Sequence, residues 1–283
     1  MYWRAILLGV LAGVVVFTIA ILTKAPREDR DWQPHLSVTP SAEQSSDDWQ
    51  VGPIRDWTYD ANGPVGTQWT GNLEITPGKV RRVWLLVEPH PGLPAMAHTL
   101  VLFEQADGAL IGLTIEARKE THEKFAPLRG ALRRFELIYV WATPRDLLTR
   151  RAVMLDRELE LYPLDLTLGQ ARAFTQSVLE RTQALSQAPR FYSTLHSNCT
   201  NELAKAAGLS WHPSFILTGG AAKTLHAKGL IAGERFEDVR DTVQIGDWVR
   251  RHSALGHEAF NSGLLEHVTS NTVANISKAA DSR

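Results

Sequence analysis

Ala97-His98-Thr99-Leu100-Val101-Leu102-Phe103-Glu104-Gln105-Ala106-Asp107-Gly108-Ala109-Leu110-Ile111-Gly112-Leu113-Thr114-Ile115-Glu116-Ala117-Arg118 sets two apolar runs on either side of an Asp-Gly pair. Residues 99–103 (TLVLF) and 110–115 (LIGLTI) read as strands and Asp107-Gly108 as their turn, so the stretch predicts a β-hairpin. Working outward, residues 80–87 (VRRVWLLV), 137–141 (LIYVW) and 159–163 (LELYP) add further strands. The expectation is a central sheet, antiparallel in its middle, in an α+β fold.

The hydrophobic period changes over residues 167–188. Leu168, Ala171, Phe174, Val178, Leu179 and Leu185 recur at three- and four-residue steps behind Thr167, an N-cap, which predicts an amphipathic helix. A shorter helix fits residues 198–207, closed by Gly208, and places Cys199 at its N-terminus. A further amphipathic stretch covers residues 243–255, after which a Ser- and Asn-rich tail predicts peripheral structure and a frayed end.

Residues 5–23 (AILLGVLAGVVVFTIAILT) carry no charge and are long enough to cross a bilayer as one helix. Arg4 precedes the run, while Lys24, Arg27 and Arg30 after it are diluted by Glu28, Asp29 and Asp31, which favours a cytoplasmic N-terminus. The organisation expected is a transmembrane anchor at 1–24, a polar tether and lead-in at 25–57, a catalytic extracytoplasmic domain at 58–233, and a peripheral C-terminal helix and tail at 234–283. Trp32, Trp49 and Trp57 are expected to dock the lead-in segment. With 30 basic and 31 acidic side chains interleaved, net charge −1, the chain offers no field to concentrate nucleic acid.

Cys199 is the chain's one cysteine, so no intramolecular disulfide forms and the residue is either a packed small hydrophobe or a reactive thiol. A helix N-terminus lowers a thiol's pKa and favours the second reading. A thiol enzyme needs a base. His98 stands at the start of a strand, and a hairpin centred on Asp107-Gly108 returns Glu116 beside it, where a carboxylate can orient the imidazole. His98 as a strand-edge histidine, with Glu116 paired to Arg118 or Lys119, is the bland reading. His196, three residues before Cys199, is the alternative base. The ten histidines show no HExxH spacing, and there is neither a Gly-rich phosphate loop nor a GxSxG elbow, so neither metal nor cofactor is expected.

Taken together, Ala97-His98-Thr99, Ile115-Glu116-Ala-Arg118-Lys-Glu120, Pro127-Leu-Arg129-Gly130, Phe135-Glu136-Leu-Ile-Tyr-Val140, Tyr162-Pro-Leu and Phe191-Tyr-Ser-Thr-Leu-His-Ser-Asn198-Cys199-Thr200 resemble the Lnb N-terminal periplasmic domain family, associated with lipoprotein N-acylation. The resemblance runs from about residue 31 to 229. It implies a cysteine nucleophile at Cys199 with His98 as its partner and Glu116 as a third member. The order of histidine strand before cysteine helix, with the Asn198-Cys199 pair, also resembles permuted papain-like thiol acyltransferases, which implies a fold of that kind.

The activity implied is acyl transfer through an acyl-Cys199 intermediate. The donor would be a membrane phospholipid or lipoprotein, and the acceptor the α-amine of a diacylglyceryl-cysteine at a lipoprotein N-terminus. The main domain would lie in the periplasm, anchored in the bacterial inner membrane. Arg118, Lys119 and Arg129 are candidates for a lipid phosphate, with surface ion pairing as their other reading. The Cys199 amide, Asn198 and Thr200 are candidates for the oxyanion. Two alternatives stand beside this: a cysteine hydrolase or amidase acting on peptide or cell-wall substrates, and a non-catalytic anchored binding protein.

Overall fold

The computed structural model describes residues 2–281; Met1 and residues 282–283, the ends of the expected anchor and tail, lie outside it. The elements are α1 (Tyr2–Leu22), β1 (Ser41–Ser45), β2 (Asp48–Gly52), β3 (Ile54–Asp60), β4 (Gly63–Thr70), β5 (Leu73–Ile75), β6 (Val80–Pro89), β7 (Ala97–Gln105), β8 (Leu110–Arg118), α2 (Pro127–Ala131), β9 (Glu136–Ala142), α3 (Pro144–Thr149), β10 (Glu160–Pro163), α4 (Leu168–Gln187), α5 (Cys199–Ala206), α6 (Ala221–Ala227), α7 (Phe236–Thr242), α8 (Gly246–His252) and α9 (His257–Asp281). Seven strands form the main sheet in the order β10-β6-β7-β8-β9-β3-β4, antiparallel except where β3 meets β9. A smaller sheet, β1-β2-β5, stands apart.

The alternation of side chains along β7 and β8 explains the layering. Val101, Phe103, Leu113 and Ile115 face one side and pack with Phe174, Val178 and Leu179 of α4 and Leu203 of α5. Leu100, Leu102 and Leu110 face the other side and pack with Leu147 and Leu148 of α3, Trp248 and Val249 of α8, and Phe260, Leu264 and Val268 of α9. Both faces are therefore covered by helices. Gly112 permits the close seating of α3: a Cβ there would lie 2.3 Å from the Leu147 Cδ1 atom.

The expected hairpin, the strands at 80–87, 137–141 and 159–163 and the helices at 167–188 and 198–207 are present, as are the Thr167 cap, here a full capping box with Gln170, and the Gly208 closure, with φ 67°. Two expectations are corrected. Residues 25–57 are not a loose lead-in: β1 and β2 pair as a hairpin, β3 joins the main sheet, and Trp32, Trp49 and Trp57 are buried. Only Ala42 of the polar run Ser41–Ser45 is buried, so alternation was too sparse to mark a strand. The C-terminal part is not peripheral either, since α8 and the first turns of α9 close the second core.

Helix α1, 21 residues and about 30 Å long, is the one helix among the described residues long and apolar enough to cross a membrane by length and composition.

Helix α5 is held to β9 through Glu202, whose carboxylate is buried and accepts from Tyr139 Oη at 2.9 Å, Arg190 Nη1 at 3.2 Å and Lys205 Nζ at 3.1 Å. Burial by itself would raise this acid; the hydrogen bond and charge of Arg190, then Lys205, hold it at about 2 against an ordinary 4.5. A carboxylate depressed in the folded state adds stability that is complete above about pH 4.5 and lost as pH falls toward 2. Glu202→Gln should therefore unfold about 2 kcal/mol more easily at pH 7 and lose less stability than the parent between pH 4.5 and pH 2, read by urea unfolding with tryptophan fluorescence.

Candidate active site

The β7–β8 ladder runs from Glu104↔Leu110 to Leu100↔Thr114 and stops there, although β7 begins at Ala97 and β8 continues to Arg118. Beyond that pair β7 stays with β6, as far as Ala97↔Pro89, and β8 with β9, as far as Arg118↔Glu136. The two central strands separate, and α5 packs against both. Cys199, the first residue of α5, comes to the gap from one face, while His98 and Glu116 approach from the other.

The helix start is fixed by Asn198. Its Oδ1 accepts from the Asn201 amide at 2.8 Å, and its Nδ2 donates to the carbonyls of Thr194 and Phe215, each at 2.8 Å. Asn201 Nδ2 also donates to the Phe215 carbonyl, at 3.0 Å. Three residues on, Thr218 Oγ1 donates to the Ala97 carbonyl and accepts from the Ala97 amide, at 2.6 and 2.8 Å. Residues 215–218 thus clasp the histidine strand and the cysteine helix together.

His98 Nε2 donates to Thr114 Oγ1 at 2.7 Å, Thr114 donates onward to Glu116 Oε1 at 2.9 Å, and Nε2 to Glu116 Oε1 is 3.4 Å. Nδ1 is left for the thiol. Arg151 Nη2 donates to both Thr114 Oγ1 and Glu116 Oε1 at 3.1 Å, and its Nε lies 3.1 Å from Glu88 Oε2. Arg151 sits on a single π-helical turn, Arg150–Met154, an irregularity common at functional sites. That turn is anchored through α3, where the Asp146 carboxylate takes Arg55 Nε and Nη2 at 2.9 and 2.7 Å and the Trp57 amide at 2.8 Å.

The electrostatics follow from this packing. Burial would discharge the imidazole, but Glu116 and the Cys199 thiolate outweigh it and raise His98 to about 10. Burial would likewise raise the thiol; the His98 charge and hydrogen bond, with the Thr99 amide and hydroxyl, lower it to about 7. Glu116 lies well below the carboxylate range, since His98, Arg151 and Arg150 overcome its burial. Near neutrality His98 is imidazolium and about half of Cys199 is thiolate, the form in which a thiol is reactive.

The structure thus brings Cys199, His98 and Glu116 together. Thr200 is beside them, its Oγ1 3.8 Å from the sulfur and 3.0 Å from Thr99 Oγ1. Asn198 is consumed in the cap and has no group left for a ligand. Arg118 is buried under the N-terminal segment, bonded to Glu28 Oε2 at 2.7 Å and the Leu36 and Ser37 carbonyls at 2.9 and 2.8 Å, with its guanidinium over the Trp32 ring. Arg129 is exposed on α2, and His196 is exposed in the loop before α5. Neither joins the cluster. Lys119 is half-buried near Glu116, whose charge acts on it. Thr114, Arg151, Thr99 and Tyr192 went unmarked in the sequence. Of these only Thr114 carried a signal, being two residues before Glu116 on the same strand face.

Beside the thiol lies a cleft, partly open to solvent, whose walls are almost wholly apolar. Thr99 and Thr200 form its end nearest Cys199; Phe174, Leu203, Ala204, Leu225 and Leu230 line the rest.

Residues 67–227, more than half of the 283, match the family model described as the Lnb N-terminal periplasmic domain. The chain belongs to this family. The matched span begins within β4 and ends with α6, taking in His98, Glu116 and Cys199. No curated protein and no solved structure matches the chain. A periplasmic domain family behind an N-terminal apolar helix fits a single-pass membrane protein with its domain in the periplasm.

Because Cys199 is the one thiol, its alkylation reports the ion pair directly. Iodoacetamide labelling followed by intact mass should rise with pH through a midpoint near 7. In His98→Ala the midpoint should rise toward or beyond the ordinary 9.0, as burial is then opposed only by the Thr99 amide and hydroxyl. An unchanged midpoint in that variant would refute the pairing.

Proposed function

We propose that this protein is a thiol-dependent acyltransferase that N-acylates the amino-terminal diacylglyceryl-cysteine of bacterial lipoproteins, working at the periplasmic face of the inner membrane. The observation that carries the reading is the position of Cys199, with a charged His98–Glu116 pair on one side and an apolar cavity on the other. An ester with a long acyl chain needs both environments at once.

The pKa shifts of His98 and Cys199 support one order of proton transfers. Thiolate Cys199 attacks the ester carbonyl of a glycerolipid, and the oxyanion is met by the amides of Cys199 and Thr200, which as first residues of α5 have no helical acceptor. Tyr192, whose hydroxyl burial and the neighbouring thiolate keep protonated, stands near the sulfur as a further donor. Imidazolium His98 gives its proton to the departing glycerol oxygen, leaving an acyl-thioester and neutral imidazole. The lipoprotein α-amine then attacks the thioester, neutral His98 takes the amine proton, and the thiolate leaves to restore the ion pair. His98 acts first as an acid rather than as the base that deprotonates a neutral thiol. Glu116, through Thr114, holds the ring and favours its charged form. The order of histidine strand and Asn-Cys helix start is shared with permuted papain-like acyltransferases, which supports the same chemistry.

Incubation of the detergent-solubilised chain with phosphatidylethanolamine should add one acyl group to Cys199 by intact mass, and a diacylglyceryl-cysteine lipopeptide should then remove it as an amide. Cys199→Ala should abolish both steps, and His98→Ala should slow adduct formation by about 10²-fold or more. Free fatty acid in place of amide would assign a hydrolase; no adduct at all would sink the reading.

Filling the cavity tests where the chain lies. Ala204→Trp, which costs about 1–3 kcal/mol of stability through overpacking, should shift donor use toward shorter acyl chains. The check is competition between C8 and C16 phospholipids, and an unaltered preference would place the chain elsewhere.

A further inference from the structure

Most cations around the site are neutralised by protein carboxylates. Arg55 pairs with Asp146 at 2.7 Å, Arg118 with Glu28 at 2.7 Å, and Arg151 with Glu88 and Glu116 at 3.1 Å each. Two are not. Among the described residues no carboxylate comes within 4.0 Å of Arg150 or of Lys119. The Arg150 Nη2 atom donates to His35 Nε2 at 3.0 Å, which uses a neutral partner and cancels no charge. His35 cannot take on a compensating role, because burial and the charges of Arg150 and Arg55 keep its ring neutral, with a pKa down at about 2.

Arg150 opens the π turn that carries Arg151, and Lys119 follows β8 three residues after Glu116. The two share one neighbourhood: Glu116 acts on both, and Arg150 acts on Lys119. Burial lowers each of them, and Glu116, acting at longer range, only partly offsets it. Both residues remain partly exposed. A half-buried guanidinium and ammonium with no carboxylate in contact cost free energy in the free protein, and an incoming anion offsets that cost. The paired guanidinium–ammonium arrangement suits a phosphate, which accepts a forked Arg contact and a point charge together.

We propose that Arg150 and Lys119 form a phosphate-binding site for the headgroup phosphodiester of the lipid substrate. The assignment of the phosphate to a lipid rests on the acyl-transfer reading; the recognition of a phosphate does not. The site lies on the Glu116 side of the gap, across from the apolar cavity, so headgroup and acyl chain would lie on opposite sides of the sulfur. It replaces Arg118, which is buried in structural contacts, and Arg129, which is exposed on α2.

The test uses the full chain with Cys199→Ala in dodecyl maltoside, so that binding is measured without turnover. Phosphatidylglycerol in mixed micelles should bind about tenfold or more tighter than dioleoylglycerol of the same chains. Lys119→Gln and Arg150→Gln should each bring that ratio toward one, and Arg150→Lys should retain part of it. A ratio of one in the parent, or a ratio unchanged in both Gln variants, overturns the proposal. Inorganic phosphate separates the two sources. Phosphate bound and displaced by phosphatidylglycerol supports the headgroup assignment, whereas phosphate bound but not displaced overturns it. Phosphate-dependent binding in a protein whose wild-type form acquires no acyl adduct would strike the transfer reading and leave the anion site standing.

Discussion

The separation of β7 from β8 beyond Leu100↔Thr114 is the constraint on which the site depends. Continued pairing would close the sheet over the space between Ala97–Thr99 and Ile115–Ala117, and the sulfur of a residue on one face would have no path to an imidazole on the other. Successive strand residues point to opposite faces, so His98 and Thr99 present an imidazole to one side and a hydroxyl to the other. Opening the ladder lets one sulfur meet both. The clasp at residues 215–218 then substitutes for the missing ladder: Thr218 satisfies both backbone groups of Ala97, and Phe215 accepts from the cap of α5.

Charge at the site is arranged by one guanidinium. Arg151 joins Glu88, Glu116 and Thr114, and its Nη1 donates to the Leu147 carbonyl at 2.9 Å, so β6, β8 and α3 meet on it. His98 first and then Arg151 hold Glu116 ionised, the ionised Glu116 keeps His98 charged, and the charged His98 in turn lowers the thiol. Each step works because burial weakens solvent screening. The same burial sets a limit: Arg151 engages Glu88 and Glu116, and Arg150 and Lys119 are left with no carboxylate within 4.0 Å among the described residues.

Much of the central architecture was written in local pattern. The Asp107-Gly108 turn fixes the return of β8 and therefore the meeting of Glu116 with His98, Thr167 announces α4 by its capping chemistry, and Gly208 marks the end of α5. What was hidden depended on partners distant in the chain. Arg151 and Asp146 sit in a segment whose role comes from strands 35 to 91 residues away. Residues 41–52 make a sheet of polar strands with few buried positions, and α9 lies in a tail whose composition resembles disorder but whose Phe260 and Leu264 meet the back face of the sheet. Arg118 misleads for the same reason: its neighbours in sequence suggest a surface cation, whereas Trp32, Glu28 and two carbonyls bury it.

That misreading of Arg118 carries a consequence for where the site can be. Helix α1 ends at Leu22, and the next firm attachment comes quickly: the Arg27 amide donates to Glu136 Oε1 at 2.7 Å, and Glu28 binds Arg118 on the same strand as Glu116. Residues 23–27 are thus the whole of the free connection, and even fully extended they span no more than about 20 Å. With α1 in a bilayer, the end of β8 is held within that distance of the membrane surface. A long disordered tether would let the domain sample a large volume; a short one confines it to the layer in which lipid esters and lipoprotein N-termini reside. For the two membrane-held substrates of the proposed transfer, such confinement would raise the effective concentration of each at Cys199 without any added contact.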